Sequence, residues 1–342
     1  MRFAIDGWDP GYGSSLELDG PAETVVQVRT DVELPADRWM PIPPTPGLDR
    51  PSSTVFVDGV RRVEARAWIH DTDPDDPDVI ATDATPALCA SYAAGAVCCC
   101  GDRAHFLTPE LRRGLFTVSD HAGDIVTWAG TYQAWPVTLK PAQGLMLSLS
   151  ATLQHRLTEL ELLVAVNARS LSSDHADNTS STEDSLLVVD GPVRGRAHLA
   201  RVLGVIKSHQ TAYLEPRLHA MVSRLAAAER TPVFLVDTSW DRFTWYLRLP
   251  GDPSHPWSGI IRVECAANIP ATQAIALASL SQAVLPRYAS VEYKDPRAPQ
   301  NLYPVAALER ELRRRLGHPA LLARALRQAA HSIPPVQPTA LA

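Results

Sequence analysis

Short apolar runs separated by proline and aspartate fill the first half of the chain, and a helical period takes over near its middle. STVFVDG (53–59) reads as a strand ending at Asp58-Gly59. RRVEARAWIH (61–70) alternates Val63, Ala65, Ala67 and Ile69 against Arg62, Glu64, Arg66 and Trp68, the period of a half-exposed strand, so the two segments predict a hairpin. VVQVRTDVEL (25–34) alternates loosely, and the PIPPTPG that follows excludes helix and central strand, because proline fixes φ and donates no hydrogen bond. LCASYAAGAVCCC and DIVTWAGTYQAWPVTL supply further strand-like pieces. Between about Gln143 and Arg169 the residues Leu153, Leu157, Leu160 and Val164 recur at helical spacing and predict an amphipathic helix of several turns. SLLVVDG (185–191) is apolar without alternation, as a strand buried on both faces should be, and it too ends in Asp-Gly. LGVIKS, TPVFLVDTS, FTWYLRL and GIIRVECA read as strands; residues 215–229, ATQAIALASLSQAVL, PVAALERELRRRLG and PALLARALRQAA read as helices.

Composition narrows the class. A chain of 342 residues with 45% hydrophobic and 20% charged residues is globular rather than disordered or fibrous. MRFAIDGWDP carries acids where a signal peptide needs an apolar run, and no apolar stretch approaches the ~20 residues of a membrane span. The 5 cysteines, three of them contiguous at Cys98, Cys99 and Cys100, suit neither a disulfide framework nor a zinc site and predict a reduced, cytoplasmic protein. The acidic loop DTDPDDPD (71–78) lacks the glycine and the distant glutamate of an EF-hand. Net charge is −6, yet residues 1 to 100 hold 7 Lys or Arg against 17 Asp or Glu, while the remainder holds 25 against 21. The net value therefore conceals an acidic front and a mildly basic back.

The order of acids along these elements carries the chemistry. Asp58 ends one strand, the long helix offers Glu159 or Glu161, and Asp190 ends a later buried strand. Glu161 lies four residues after Leu157 and three before Val164, beside the apolar stripe, whereas Glu159 follows His155 and Arg156 and reads as a surface ion-pair residue. Asp237 reads as a turn or cap residue outside the site. Three gathered carboxylates repel one another unless protonated or neutralised, and hard oxygen donors of this kind suit Mg²⁺ or Mn²⁺. Strand Asp, helix Glu, strand Asp is the succession of a ribonuclease-H-like α/β fold: a mixed β-sheet core flanked by helices, with an N-terminal β-rich extension and a C-terminal helical region. Lys207, on an otherwise apolar strand, is costly to bury unless an anion meets it. Residues 287–327 hold nine Lys or Arg against four acids, which makes Arg287, Lys294, Arg297, Arg313 and Arg314 candidate phosphate contacts. Trp240, Trp245, Tyr246 and Trp257 are candidate stacking surfaces for an unpaired strand.

FVDG (56–59), LLVVDGP (186–192), GVIKSH (204–209) and YKDPRAPQNLYPVAALERELRRRLG (293–317) resemble the NurA family of nucleases. The resemblance implies a homodimeric DNA nuclease dependent on Mn²⁺ or Mg²⁺. It would degrade DNA ends by two-metal phosphodiester hydrolysis, beside a HerA-type hexameric ATPase. It also implies metal ligands at Asp58, the helix glutamate and Asp190. A family Tyr and, eight residues later, a His correspond to Tyr293 and Asn301, with Tyr288 an alternative for the Tyr and the His replaced. That replacement keeps open a second reading, a non-catalytic adaptor that clamps DNA for the ATPase. The implied organisation is an N-terminal extension over 1–53, a nuclease domain over 54–317 and a C-terminal helix and tail over 318–342.

Overall fold

The computed structural model describes residues 27–72, 80–139, 144–175, 184–209, 211–238, 240–251 and 255–332. Most of the acidic loop at 71–78, the first 26 residues and the C-terminal tail lie outside them. The fold is mixed α/β, and the chain forms two compact units. Unit 1 comprises Met1–Asp58, Ala96–Leu107 and Ala165–Leu308; unit 2 comprises Gly59–Gly95, Thr108–Val164 and Glu309–Ala342.

In unit 1 the strands β1 (Gln27–Arg29), β7 (Leu186–Asp190), β8 (Val202–Ile206), β9 (Phe234–Asp237), β10 (Arg242–Arg248) and β11 (Ile260–Ala266) join the first residues of β2 (Ser53–Thr72). Their order is β1-β9-β10-β11-β8-β7-β2. β2, β7 and β8 run parallel, and β11, β10, β9 and β1 continue antiparallel. Period-2 alternation divides the side chains between two cores. Phe56, Val188, Leu203, Val205, Trp245 and Val263 face one side, under α3 (Ala271–Val284) and the start of α4 (Tyr303–Arg315). Phe234, Val236, Tyr246 and Ile260 face the other, against Leu218 and Val222 of α2 (Pro216–Val222).

Unit 2 holds the rest of β2, most of β3 (Ile80–Cys100) and β4 (Arg103–Thr117), with β5 (Ile125–Thr127) and β6 (Gly130–Pro136). The order is β2-β3-β4-β6-β5. Its helices are most of α1 (Leu145–His175), the end of α4, and α5 (Pro319–Ser332). Alanine and cysteine let β3 pack closely from Ala87 to Cys98. All five cysteines are free, and burial pushes the Cys89 and Cys98 thiols up to about 12.

One expectation from the sequence is corrected. Residues 53 to 70 make no hairpin: β2 runs unbroken for 20 residues through Asp58 and Gly59. An Asp-Gly hairpin turn requires positive φ, and Gly59 is not among the glycines that adopt it. Gly191, after Asp190, does adopt it, at φ 103°, so that Asp-Gly is a true strand end.

Candidate metal centre

Register brings the two aspartates together. β2 pairs with β7 through Val57↔Val189, so the next residues along the parallel ladder are Asp58 and Asp190. β7 pairs with β8 through Asp190↔Val205, and Lys207 lies two residues beyond Val205, on the same face. Each therefore extends a core row: Phe56 to Asp58, Val188 to Asp190, Val205 to Lys207. α4 covers those rows with Leu302 and Val305 just before it and in its first turn, and one turn beyond Val305 it presents Glu309. The unit boundary passes between Leu308 and Glu309 inside this one helix, as it passes between Asp58 and Gly59 inside β2.

The result is a carboxylate cluster. Asp58, Asp190 and Glu309 each offer an oxygen, and these lie within 4.8 Å of one another. Asp58 is 7% exposed and Glu309 8%. At that spacing and an effective dielectric of about 20, each pair of ionised carboxylates repels by roughly 3 kcal/mol. Lys207 answers part of this: its ammonium donates to Asp190 Oδ2 at 2.5 Å. It also donates to Asn301 Oδ1 at 2.8 Å, and Asn301 Nδ2 in turn donates to Asp295 Oδ2 at 2.6 Å. The donor set is all oxygen and negative, with Asp58 and Glu309 buried and Asp190 half-buried, which fits a hard divalent cation.

The remaining candidates divide. Glu161 is buried on α1, as its place beside the leucine stripe requires, and its Oε1 lies 2.6 Å from where a Cβ on Gly59 would stand. Glu159 faces solvent and pairs with Arg156 at 2.8 Å. Tyr288 packs edge-on against Phe56 at 4.8 Å between centroids, whereas Tyr293 is 83% exposed. Asp237 is exposed at the end of β9, its carboxyl shifted up by a hydrogen bond shared with Asp241. Arg287 and Lys294 are exposed, Lys294 lying over the rings of Tyr293 and Tyr303, and Arg297 lies 3.6 Å from Asp295. Arg313 and Arg314 are exposed in the last turn of α4, Arg314 pairing with Glu311 at 2.7 Å. Trp245 and Tyr246 are core residues, and Trp245 Nε1 donates to Ser281 Oγ, so neither is a stacking surface.

Glu309 joins the cluster from outside the strand-acid pattern, yet the sequence carries its signal. It follows Val305 by four and precedes Leu312 by three, the same placement beside an apolar stripe that distinguishes Glu161.

Gly59 is where α1 meets β2. A methyl group there would stand 2.6 Å from both Glu161 Oε1 and Leu157 Cδ1. Gly59→Ala is expected to destabilise the protein by about 1–3 kcal/mol through overpacking, read as a lower urea midpoint at unchanged slope. An unshifted midpoint would mean that α1 yields freely at this contact.

The structure thus defines a mixed α/β protein with a buried acidic cluster suited to a divalent cation. No protein-family model matches the chain, and no curated protein matches it significantly. Among solved structures, the NurA nuclease from Sulfolobus solfataricus aligns over 86% of this chain and 89% of its own, with 10% identity and a TM-score of 0.42. That likeness is too slight to bear on activity. No helix among the described residues is long and apolar enough to cross a membrane.

Proposed function

We propose that the protein is a divalent-metal-dependent DNA nuclease of the NurA type, built on a ribonuclease-H-like core. It acts on DNA ends with a HerA-type ATPase, as a homodimer in the cytoplasm. The observation that carries this reading is the cluster of Asp58, Asp190 and Glu309 oxygens within 4.8 Å, with the Lys207 ammonium on Asp190. The motif blocks at 56–59, 186–192, 204–209 and 293–317 support it.

Asp58, Asp190 and Glu309 would hold the cation, with Glu161 a further donor from α1. When bound, Mn²⁺ or Mg²⁺ lowers the pKa of a water and offsets the charge that develops on the phosphate and the departing oxygen. The protein's own residues do the rest. Asp58 and Asp190 on paired strands, with Glu309 on α4, keep the donor oxygens fixed without reorganisation. Lys207, donating to Asp190, keeps that carboxylate oriented and brings a cation to where a phosphate would lie. Arg287, Lys294, Arg297, Arg313 and Arg314 are proposed to contact the DNA backbone, and Tyr293 to contact the strand being cut.

The test is incubation of the purified protein with end-labelled single- and double-stranded DNA in Mn²⁺, in Mg²⁺ and in EDTA. Label release is expected with a divalent cation and none in chelator. Intact DNA under every metal condition, with and without the ATPase, would sink the reading.

A further inference from the structure

The geometry points to Asp295 as a positioning residue that sets the orientation of the Asn301 amide and, through it, the place of Lys207 beside Asp190; this rests on the nuclease reading above. Asn301 is fully buried, with 0% exposure, and Asp295 is 8% exposed. The Lys207 side chain is 7% exposed. The three form a chain in which each polarity is dictated. A lysine ammonium has donors alone, so the Asn301 atom facing it must be the carbonyl oxygen. An ionised carboxylate has acceptors alone, so the Asn301 atom facing Asp295 must be the amide nitrogen. Asp295 is itself held, because the backbone N–H of Arg297 donates to its other oxygen at 2.8 Å. Asn301 therefore spends both ends of its amide inside the protein. Its task is to hold Lys207, whose remaining N–H among the described contacts is left for a substrate phosphate.

Asp295→Asn breaks this polarity at almost constant shape. If the amide introduced at position 295 keeps its oxygen on the Arg297 N–H, its NH₂ confronts the NH₂ of Asn301. If Asn301 inverts to escape, its NH₂ confronts the Lys207 ammonium. The double variant Asp295→Asn/Asn301→Asp removes the conflict, since a carboxylate at position 301 accepts both from the amide at position 295 and from Lys207. Purified wild type, the single variant and the double variant are compared in two readouts. One is Mn²⁺-dependent cleavage of end-labelled DNA. The other is the ¹⁵N NMR signal of the Lys207 ammonium, visible when buried hydrogen bonds slow its proton exchange.

Asp295→Asn is expected to lower kcat by about 10–100-fold with KM little changed, and to broaden the Lys207 signal beyond detection. The double variant is expected to recover both. A single variant equal to wild type in both readouts would overturn the proposal, as would a double variant no better than the single. A wild type without any cleavage would sink the nuclease reading instead, and the Lys207 signal would still decide the role of Asp295.

Discussion

Asp58→Asn is expected to lower metal-dependent DNA cleavage by on the order of 10³-fold, about 4 kcal/mol of transition-state stabilisation, while raising the melting temperature of the metal-free protein. The two effects share one cause. Asp58, Asp190 and Glu309 hold their oxygens within 4.8 Å, so with all three ionised and no cation bound they repel one another, Lys207 offsetting part of this at Asp190. Neutralising one acid relieves the repulsion, by about 1–3 kcal/mol after solvent screening, and removes the charge that a divalent cation needs. Glu309→Gln is expected to behave likewise. Glu159→Gln, on the solvent face of α1 and paired with Arg156, is expected to leave cleavage within about twofold, since exposed pairs of this kind contribute about 0–1 kcal/mol. Initial rates on labelled DNA, together with thermal melts in EDTA, read both arms. An Asp58→Asn protein that cleaves normally would remove the cluster from the mechanism. One that melts lower in EDTA would show that the acids are held together by something stronger than their repulsion.

Arg230→Met should destabilise unit 1 by about 3–5 kcal/mol, the usual cost of removing one partner from a buried ion pair. Arg230 is 1% exposed, and every guanidinium nitrogen is used. Nη1 and Nη2 donate to the two oxygens of Glu33 at 2.7 and 2.9 Å. Nε donates to Gln282 at 2.9 Å, and the remaining bonds go to the Thr231 carbonyl and Ser279 Oγ. Glu33 also accepts the backbone N–H of Val233 at 2.8 Å. Methionine fills much of the volume but leaves a desolvated carboxylate opposite an apolar chain. Adding Glu33→Gln to Arg230→Met should recover part of the loss, because a neutral amide is cheaper to leave there. Urea unfolding decides the matter: a midpoint unchanged in Arg230→Met would mean that water replaces the guanidinium.

Local pattern made some of this site legible and left the rest hidden, for physical reasons. Asp190 stood out because a run apolar on both faces can end only where the chain leaves the sheet, and Gly191 with its positive φ marks that exit. Asp58 looked the same by composition, but its glycine stays extended inside β2. Which Asp-Gly is a turn depends on what packs beside the glycine, here Leu157 and Glu161 of α1, and periodicity carries no such information. Glu309 satisfies the stripe rule that selects Glu161, but it lies on a helix that follows no strand ending in an acid, so the order of strand acids does not point to it. The chain from Asp295 through Asn301 to Lys207 spans 94 residues of sequence between its last two members. Its meaning lies in donor and acceptor complementarity between loop and strand, which appears only once the strands are in register.

The unbroken course of β2 also sets what kind of change this protein can absorb. Asp58 reaches the cluster because it is the next rung after Val57↔Val189, and side chains alternate faces at every rung. A conservative substitution at Val55 or Val57 alters packing and leaves the address of Asp58 intact. A single residue inserted or deleted between Thr54 and Asp58 would instead turn the carboxylate to the opposite face of the sheet. The site is thus specified by counting as much as by chemistry, and in this stretch length is more constrained than identity.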